Sequence, residues 1–274
     1  DFDIPDSISI YIDQHDIISH TMGEGAKGSS GIHRRFIYKI EEIRWKKFER
    51  KFYKRVDREG TKILSVKDED KNETLGLVNL SKVYMVPNGH SVNRKNLSSY
   101  ITKAWQPQIL FIGTSHERNV NALKTFYEYV LPLIHKQLPN IKTKIVGAFE
   151  TSDLAFIKAK EKNISIYTYV DDISNYYNYG DIQVLPFNMG AGSKLKVFES
   201  FAYGVPVVGT KLAFTGVPIF PIEDLVCSNS YEDIARYVVS LVNDRLSYDL
   251  VRDKMITISR DFDWEVILDE VEWL

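Results

Sequence analysis

"DIQVLPFNMGAGSKLKVFESFAYGVPVV", Asp181 to Val208, is the stretch on which the fold turns. The apolar run from Ile182 to Phe187 reads as a buried strand. Asn-Met-Gly-Ala-Gly-Ser is then a loop, and the residues after it carry helical spacing until Gly204 and Pro206 stop them. Leu195, Phe198 and Ala202 are expected on the core side of that helix. A second apolar run follows, so the order is strand, loop, helix, strand, the repeating unit of a parallel sheet.

The loop and helix start have the chemistry of an anion site. The first amides of a helix lack internal partners and carry partial positive charge. Gly190 and Gly192 remove side chains that would keep a bulky anion away, and Ser193 is able to cap the helix or donate its hydroxyl. Lys194 and Lys196 add full positive charge. Glu199 lies three residues beyond Lys196 and answers a different need: a carboxylate repels phosphate but accepts hydrogen bonds from a vicinal diol such as a ribose. A nucleoside diphosphate satisfies glycines, lysines and glutamate together. A plain tight connection with solvated lysines accounts for the same residues. Neither the Walker Lys-Ser/Thr ending nor G-x-G-x-x-G is present.

Outward from this stretch the pattern repeats. "QILFIG", "TKIVG" and "ISIYTYV" read as strands, Asn119 to His135 as a helix capped by Asn119, and "SDLAFIKAKEK" as another helix. Such a sheet binds ligands at the carboxyl ends of its strands. Towards the N-terminus, "SISIYID", "TKILSV" and "KVYMVP" are strands, and Gly23 to Gly31 is expected to be a flexible loop. His33 to Asp57 is expected to be a long helix with Phe36, Ile40, Ile43, Phe48, Phe52 and Val56 on one apolar face.

Composition narrows the class. The chain has 274 residues, a formal net charge of −2, 44% hydrophobic residues and one cysteine. That describes a globular protein without an internal disulfide or a multi-cysteine metal cage, and without a global field for nucleic acid. No apolar stretch approaches the roughly 18 residues of a membrane span, and a cytoplasmic location is expected. Arg34 to Arg58 carries 11 Lys/Arg against four acids. A solvated face explains this, and so does attraction to an anionic lipid surface.

"PFNMGAGSKLKVFESFAYGVPVVGT" resembles the donor-site segment of GT-B glycosyltransferases, family 4 in particular. "FIGTSHERNVNALKTFYEYVLPLI", "KIVG", "YVDDISNYYNYGDIQVLP", "VPNGH" and "DFDWEVI" resemble further family segments in the family's order, so the match covers roughly Asp13 to Leu274. The resemblance implies an α/β protein of GT-B type: a complete C-terminal Rossmann-like donor domain plus the later part of an N-terminal Rossmann-like domain. The implied division is 1–90 on the acceptor side, 91–106 as linker, 107–250 binding the nucleotide sugar, and a 251–274 helix crossing back. Upstream sequence is expected to be missing.

The implied activity is retaining, metal-independent transfer of a sugar, of hexosyl type, from a nucleotide-diphosphate sugar to a glycan or lipid-linked acceptor. No cofactor, no metal and no nucleic acid enter. Glu199 matches the glutamate that binds the donor ribose. Gly190, Ala191, Gly192 and Ser193 match the loop facing the donor phosphates and sugar, and Gly113 and Thr114 the loop approaching the diphosphate. Tyr169 and Val170 match the place of the base. Two departures stand out. The family's Glu-x7-Glu pair has Ala191 at its first position, and Thr114 stands where many members carry arginine. Lys194 and Lys196 are expected to supply the missing charge and act in catalysis. On the acceptor side His15 is the expected catalytic group, ahead of His20 and His33, with Asp13 and Asp16 beside it. His116 is a further candidate for a phosphate contact. Peripheral membrane contact through residues 34–58 is the expected partner interaction. A degenerate, non-catalytic nucleotide-sugar-binding subunit and a nucleotide-sugar epimerase are the rival readings.

Overall fold

The structure is a computed structural model that describes residues 5, 8–28, 31–92, 104–157, 161–189 and 195–270. Two compact units divide the chain: the first takes the residues up to Asn88 together with those from Ile267 onwards, and the second takes Gly89–Met189 and Lys194–Val266.

The first unit runs β1 (Ile10–Gln14), α1 (Ile18–Gly28), α2 (Ile32–Val56), β2 (Thr61–Ser65), α3 (Asp68–Leu75) and β3 (Lys82–Met85). The strands form a parallel sheet in the order β1-β2-β3, with Ile12 opposite Ile63 and Ile63 opposite Val83. Its small core gathers Tyr53, Ile63 and Val78. Asp57, just after α2, accepts hydrogen bonds from the backbone N–H groups of Asn79 (2.7 Å), Leu80 (2.8 Å) and Ser81 (2.8 Å) and from the Ser81 hydroxyl. It thereby fixes the entry to β3.

Two expectations fail here for packing reasons. Gly23 to Gly28 is helix rather than loop. A Cβ on Gly25 would stand 2.8 Å from the Tyr38 ring, and one on Gly23 would stand 3.3 Å from Glu42 Cδ. These glycines let α1 and α2 approach closely, so helix contact outweighs their conformational entropy. The periodicity of α2 is right but its apolar stripe is not covered. Phe36, Ile43 and Phe48 are 63%, 64% and 57% exposed, whereas Tyr53 is the residue that α2 buries.

The second unit runs β4 (Gln108–Ile112), α4 (Glu117–Thr125), a π-helical turn (Phe126–Val130), α5 (Leu131–His135), β5 (Lys142–Gly147) and β6 (Ile164–Thr168). It continues through β7 (Asp181–Leu185), α6 (Leu195–Ala202), β8 (Val207–Gly209), α7 (Glu223–Val226), α8 (Tyr231–Asn243) and α9 (Arg245–Arg260). A last helix, α10 (Trp264–Glu270), starts where Trp264 N–H donates to His90 C=O. All five strands are parallel, in the order β6-β5-β4-β7-β8. Alternate β4 residues fill both sides: Ile109 and Phe111 join the main core, Leu110 and Ile112 the smaller cluster with Val146 and Tyr177. At the outer edge, Ser165 to Thr168 of β6 are exposed.

The predicted helix at "SDLAFIKAKEK" is reduced to a 3-10 turn, Thr151–Leu154, with 158–160 outside the described residues. Residue 251 lies inside α9, which packs against α6, so the 250/251 boundary cuts a continuous helix of this unit. Gly204, at φ +67, ends the α6 turn as its sequence requires.

Candidate functional site

The strand order reverses between β4 and β7, and the carboxyl ends of that pair are where a doubly wound sheet opens a crevice for ligands. At the β4 end stand Gly113 and Thr114, and at the β7 end Phe187 and Asn188, ahead of α6. Gly190, Ala191, Gly192, Ser193 and Lys194 lie between them and α6, outside the described residues.

Gly113 is held tightly. Its N–H donates to Val146 C=O at 3.0 Å, and a Cβ on it would meet the Phe149 ring at 2.7 Å. Thr114 is exposed, its hydroxyl accepting from Asn119 Nδ2 at 3.0 Å. Asn119 is not the cap of α4. His116 takes that place, its Nδ1 accepting from Arg118 N–H at 3.3 Å. Asn119 sits inside the helix because its amide is used sideways: Nδ2 on Thr114, Oδ1 on Lys196.

Lys196 links the elements of the crevice. Its Nζ donates to Ile112 C=O at 3.2 Å and to Asn119 Oδ1 at 2.7 Å, and lies 5.7 Å from the centre of the Phe187 ring. The guanidinium of Arg118 lies 5.5 Å from the same ring centre. Two cations from the first turns of two helices thus lie within 6 Å of the aromatic ring that follows β7.

Glu199 follows one turn deeper. Burial pushes its carboxyl pKa up; the Tyr177 hydroxyl and the Lys196 ammonium pull it back, and the Asp172 carboxylate pushes it further up. Tyr177 is fully buried, stacked on Tyr203 at 4.3 Å, and burial raises its own pKa well above the ordinary phenol value. Glu199 thus lies within the electrostatic reach of Tyr177 and Lys196, although the buried Tyr177 hydroxyl has no hydrogen-bond partner among the described residues, whereas Leu195, expected in the core, is 46% exposed. Leu195 is the first residue of the helix and lies outside the core that Val197 and Phe198 of the same turn join. Phe198 and Ala202 are buried.

Tyr169 and Val170 follow β6. Tyr169 is 68% exposed with φ +53, a left-handed backbone uncommon for an aromatic residue. Val170 packs against the cluster of Leu110 and Tyr177. Asp172 caps the 3-10 turn Ile173–Tyr176 through Ser174 N–H at 2.9 Å. His15 belongs to the first unit, exposed just beyond β1, with Nε2 3.0 Å from Asp13 Oδ2. His20 is instead bound to Asp70 and Glu73 of α3. Among the described residues, no cluster of three or more His, Cys, Asp or Glu has the arrangement of a metal site.

The family model described as "Glycosyl transferases group 1" matches residues 106–244, more than half of the chain. The chain belongs to the glycosyl transferases group 1 family. That matched stretch contains the β4–β7 crevice, Lys196 and Glu199. Solved structures agree with this family in fold. TarM aligns at TM-score 0.62 and 14% identity, over 83% of this chain and 45% of its own length. WaaG, a glycosyltransferase involved in lipopolysaccharide biosynthesis, aligns at TM-score 0.61 and 13% identity, over 94% and 73%. HepE from Anabaena, solved with UDP and glucose, aligns at TM-score 0.59 and 12% identity, over 96% and 70%. The α/β architecture with two parallel sheets is thus the GT-B fold, and the chain spans less than half of TarM. A search of curated proteins gives no match.

Arg118, whose guanidinium lies beside the Phe187 ring, is a crevice residue that the sequence analysis did not single out. The stretch "SHERNV" puts it one position before a residue singled out as a cap, and nothing local indicates that its partner is Phe187.

Proposed function

We propose that this chain is the donor-binding part of a retaining, metal-independent hexosyltransferase of family 4, which moves a sugar from a nucleotide-diphosphate sugar to a glycan or lipid-linked acceptor. The observation that carries the reading is the pairing on α6: Lys196 at the crevice mouth, Glu199 one turn deeper within its electrostatic reach. A cation for the diphosphate and a carboxylate for the ribose diol stand in the order that a nucleotide needs. Lys196, with Lys194 and the amides that open the loop at Gly190, Ala191, Gly192 and Ser193, stabilises negative charge developing on the leaving diphosphate. Gly113 and Thr114 bound the phosphates from the β4 side, and Tyr169 offers its exposed ring to the base beside Val170. The acceptor hydroxyl attacks from the leaving group's side and gives its proton to the leaving phosphate oxygen, which retains configuration. His15 orients the reacting sugar or acceptor.

The acceptor class connects to α2. Its exposed Phe36, Ile40 and Ile43 lie on one side of the helix, with Lys47, Arg50 and Lys54 continuing that side towards the C-terminus. Apolar insertion beside basic charge suits an anionic membrane surface on the cytoplasmic side. Among the described residues no helix is long and apolar enough to cross a membrane. Sedimentation with neutral and anionic vesicles tests this contact, and equal pelleting removes it.

The test of function is a panel of radiolabelled nucleotide sugars, UDP-glucose first because HepE holds UDP and glucose. Release of nucleoside diphosphate with transfer or hydrolysis of the sugar is expected. Tight binding without turnover selects the rival reading, a non-catalytic subunit, for which Ala191 in place of the family's first glutamate speaks. No binding to any of the panel ends both.

A further inference from the structure

We propose that the hollow at the carboxyl ends of β7 and β8 is a saccharide-binding site, and that it takes a sugar unit carrying a carboxylate or phosphate group. The inference stands apart from the nucleotide-sugar reading above, because neither Lys196 nor Glu199 lines this hollow.

The hollow measures about 420 Å³, a size within the usual range of small-molecule sites. It lies between Phe187 and Asn188 after β7, the segment 210–215 after β8, and the turn that leads through Asn229 into α8. One wall is aromatic. The Tyr231 ring stacks on Tyr129 with 5.7 Å between centres and 29° between planes, and Tyr129 itself is 56% exposed. Two amides complete the lining, each held at one end. Asn229 Oδ1 accepts from Lys211 N–H at 3.1 Å, and Asn188 Nδ2 donates to the Thr125 hydroxyl at 3.3 Å. Their other ends, the Asn229 Nδ2 donor and the Asn188 Oδ1 acceptor, have no partner among the described residues. The Thr215 hydroxyl donates to Leu212 C=O at 3.3 Å, so its oxygen keeps its capacity to accept.

A pyranose matches this arrangement. Its ring has an apolar C–H face that suits an aromatic side chain, and its edge carries hydroxyls that both donate and accept. Asn229 Nδ2 and the Tyr231 hydroxyl can donate to that edge, and Asn188 Oδ1 and the Thr215 oxygen can accept from it. The stack and the backbone bonds fix these groups beforehand, so little remains to be ordered on binding. Charge then decides the class of sugar. Lys211 is exposed, is the one charged residue of the lining, and has no carboxylate partner among the described residues. With no Asp or Glu in the lining, its ammonium stands uncompensated and favours an anionic group on the ligand.

The experiment is saturation-transfer NMR of the whole chain with glucuronate and glucose 6-phosphate, and with glucose as the neutral probe, each without and with saturating UDP, GDP or ADP. Both anionic sugars are expected to bind at least about fivefold more tightly than glucose and to stay bound when a nucleotide is added. Lys211→Gln is expected to bring them down to the level of glucose. Asn229→Asp keeps the acceptor for Lys211 N–H but replaces the amide donor by a negative charge, and is expected to abolish their binding. Tyr231→Ala is expected to weaken all three sugars. Absence of sugar binding, equal binding of glucose and the anionic pair, or a preference that survives Lys211→Gln overturns the site. Displacement by a nucleotide also overturns it, since the sugar then occupies the β4–β7 crevice. A chain that binds the sugars but none of the nucleotides keeps the site and ends the nucleotide-sugar reading. Should Tyr231→Ala fail to fold by circular dichroism, Lys211→Gln and Asn229→Asp, both at exposed positions, decide the matter.

Discussion

The carbonyl oxygen of Gly113 occupies the place where a side chain on Gly147 would begin: a Cβ built there stands 1.9 Å from it. The two glycines close the carboxyl ends of neighbouring strands β4 and β5, and Gly147 adopts φ +129 to do so. Gly147→Ala combines backbone strain with a collision against main chain, and a loss of about 3 kcal/mol or more is expected. Gly113→Ala meets the buried Phe149 ring at 2.7 Å, a side chain rather than main chain and without a positive φ, so about 1–3 kcal/mol is expected. Urea denaturation of the two variants checks the order. A Gly147→Ala protein as stable as the parent would mean that the β4 and β5 ends are not packed in this way.

Glu199 predicts a pH dependence of nucleotide affinity. Its carboxyl pKa is raised, chiefly by burial, so it takes up a proton at higher pH than an exposed glutamate. If the ionised form grips the ribose diol, affinity for a nucleoside diphosphate is full above that raised pKa and falls as pH drops through it. Glu199→Gln is expected to bind about tenfold more weakly at neutral pH and to lose this acid limb. Titrations from pH 4 to 8 with a ribonucleotide and its 2′,3′-dideoxy analogue measure both effects. An acid limb that persists in Glu199→Gln assigns the titration to another group.

Asp57 predicts acid sensitivity of the first unit. Desolvation pulls its pKa up, but the N–H groups of Asn79, Ser81 and Leu80 and the Ser81 hydroxyl outweigh it, lowering the pKa from 3.8 to about 2. The folded value lies below the unfolded one. Its stabilisation is therefore complete above the unfolded pKa and disappears as pH falls through the folded one. Because the carboxylate is partly solvated, about 1 kcal/mol is a reasonable size at neutral pH. Asp57→Asn is expected to be less stable at pH 7 and to converge on the parent towards pH 2. Thermal melts across that window would contradict this if the two curves stayed parallel.

The sheet and the site were legible in the sequence to different depths. Strand and helix order around Asp181 to Val208 was readable because periodicity and glycine punctuation are local, and the placement of Lys196 and Glu199 on one short helix was readable for the same reason. The position of Arg118 beside Phe187 was not readable, because the two are distant in sequence and close only after β4 and β7 pair. Asn119 was misread as a cap because its side chain has the right chemistry for one, while its partners Thr114 and Lys196 are set by tertiary packing. Gly23 and Gly25 looked like a loop because glycine spacing carries no sign of the Tyr38 ring that needs the space. The α2 residues Phe36 and Ile43 show the complementary limit, since a helical period says which residues share a side and not what covers it.

Among the described residues, strand β6 leaves one side of its backbone without a neighbouring strand, and between Ile164 and Thr168 it carries no charged or proline residue to discourage pairing with a stranger. Concentrated solutions should therefore self-associate through this margin before the core is disturbed. Light scattering should show the onset moving to higher concentration in Tyr167→Lys, with melting temperature unchanged; onset unaffected by the new charge would place the sticky surface elsewhere.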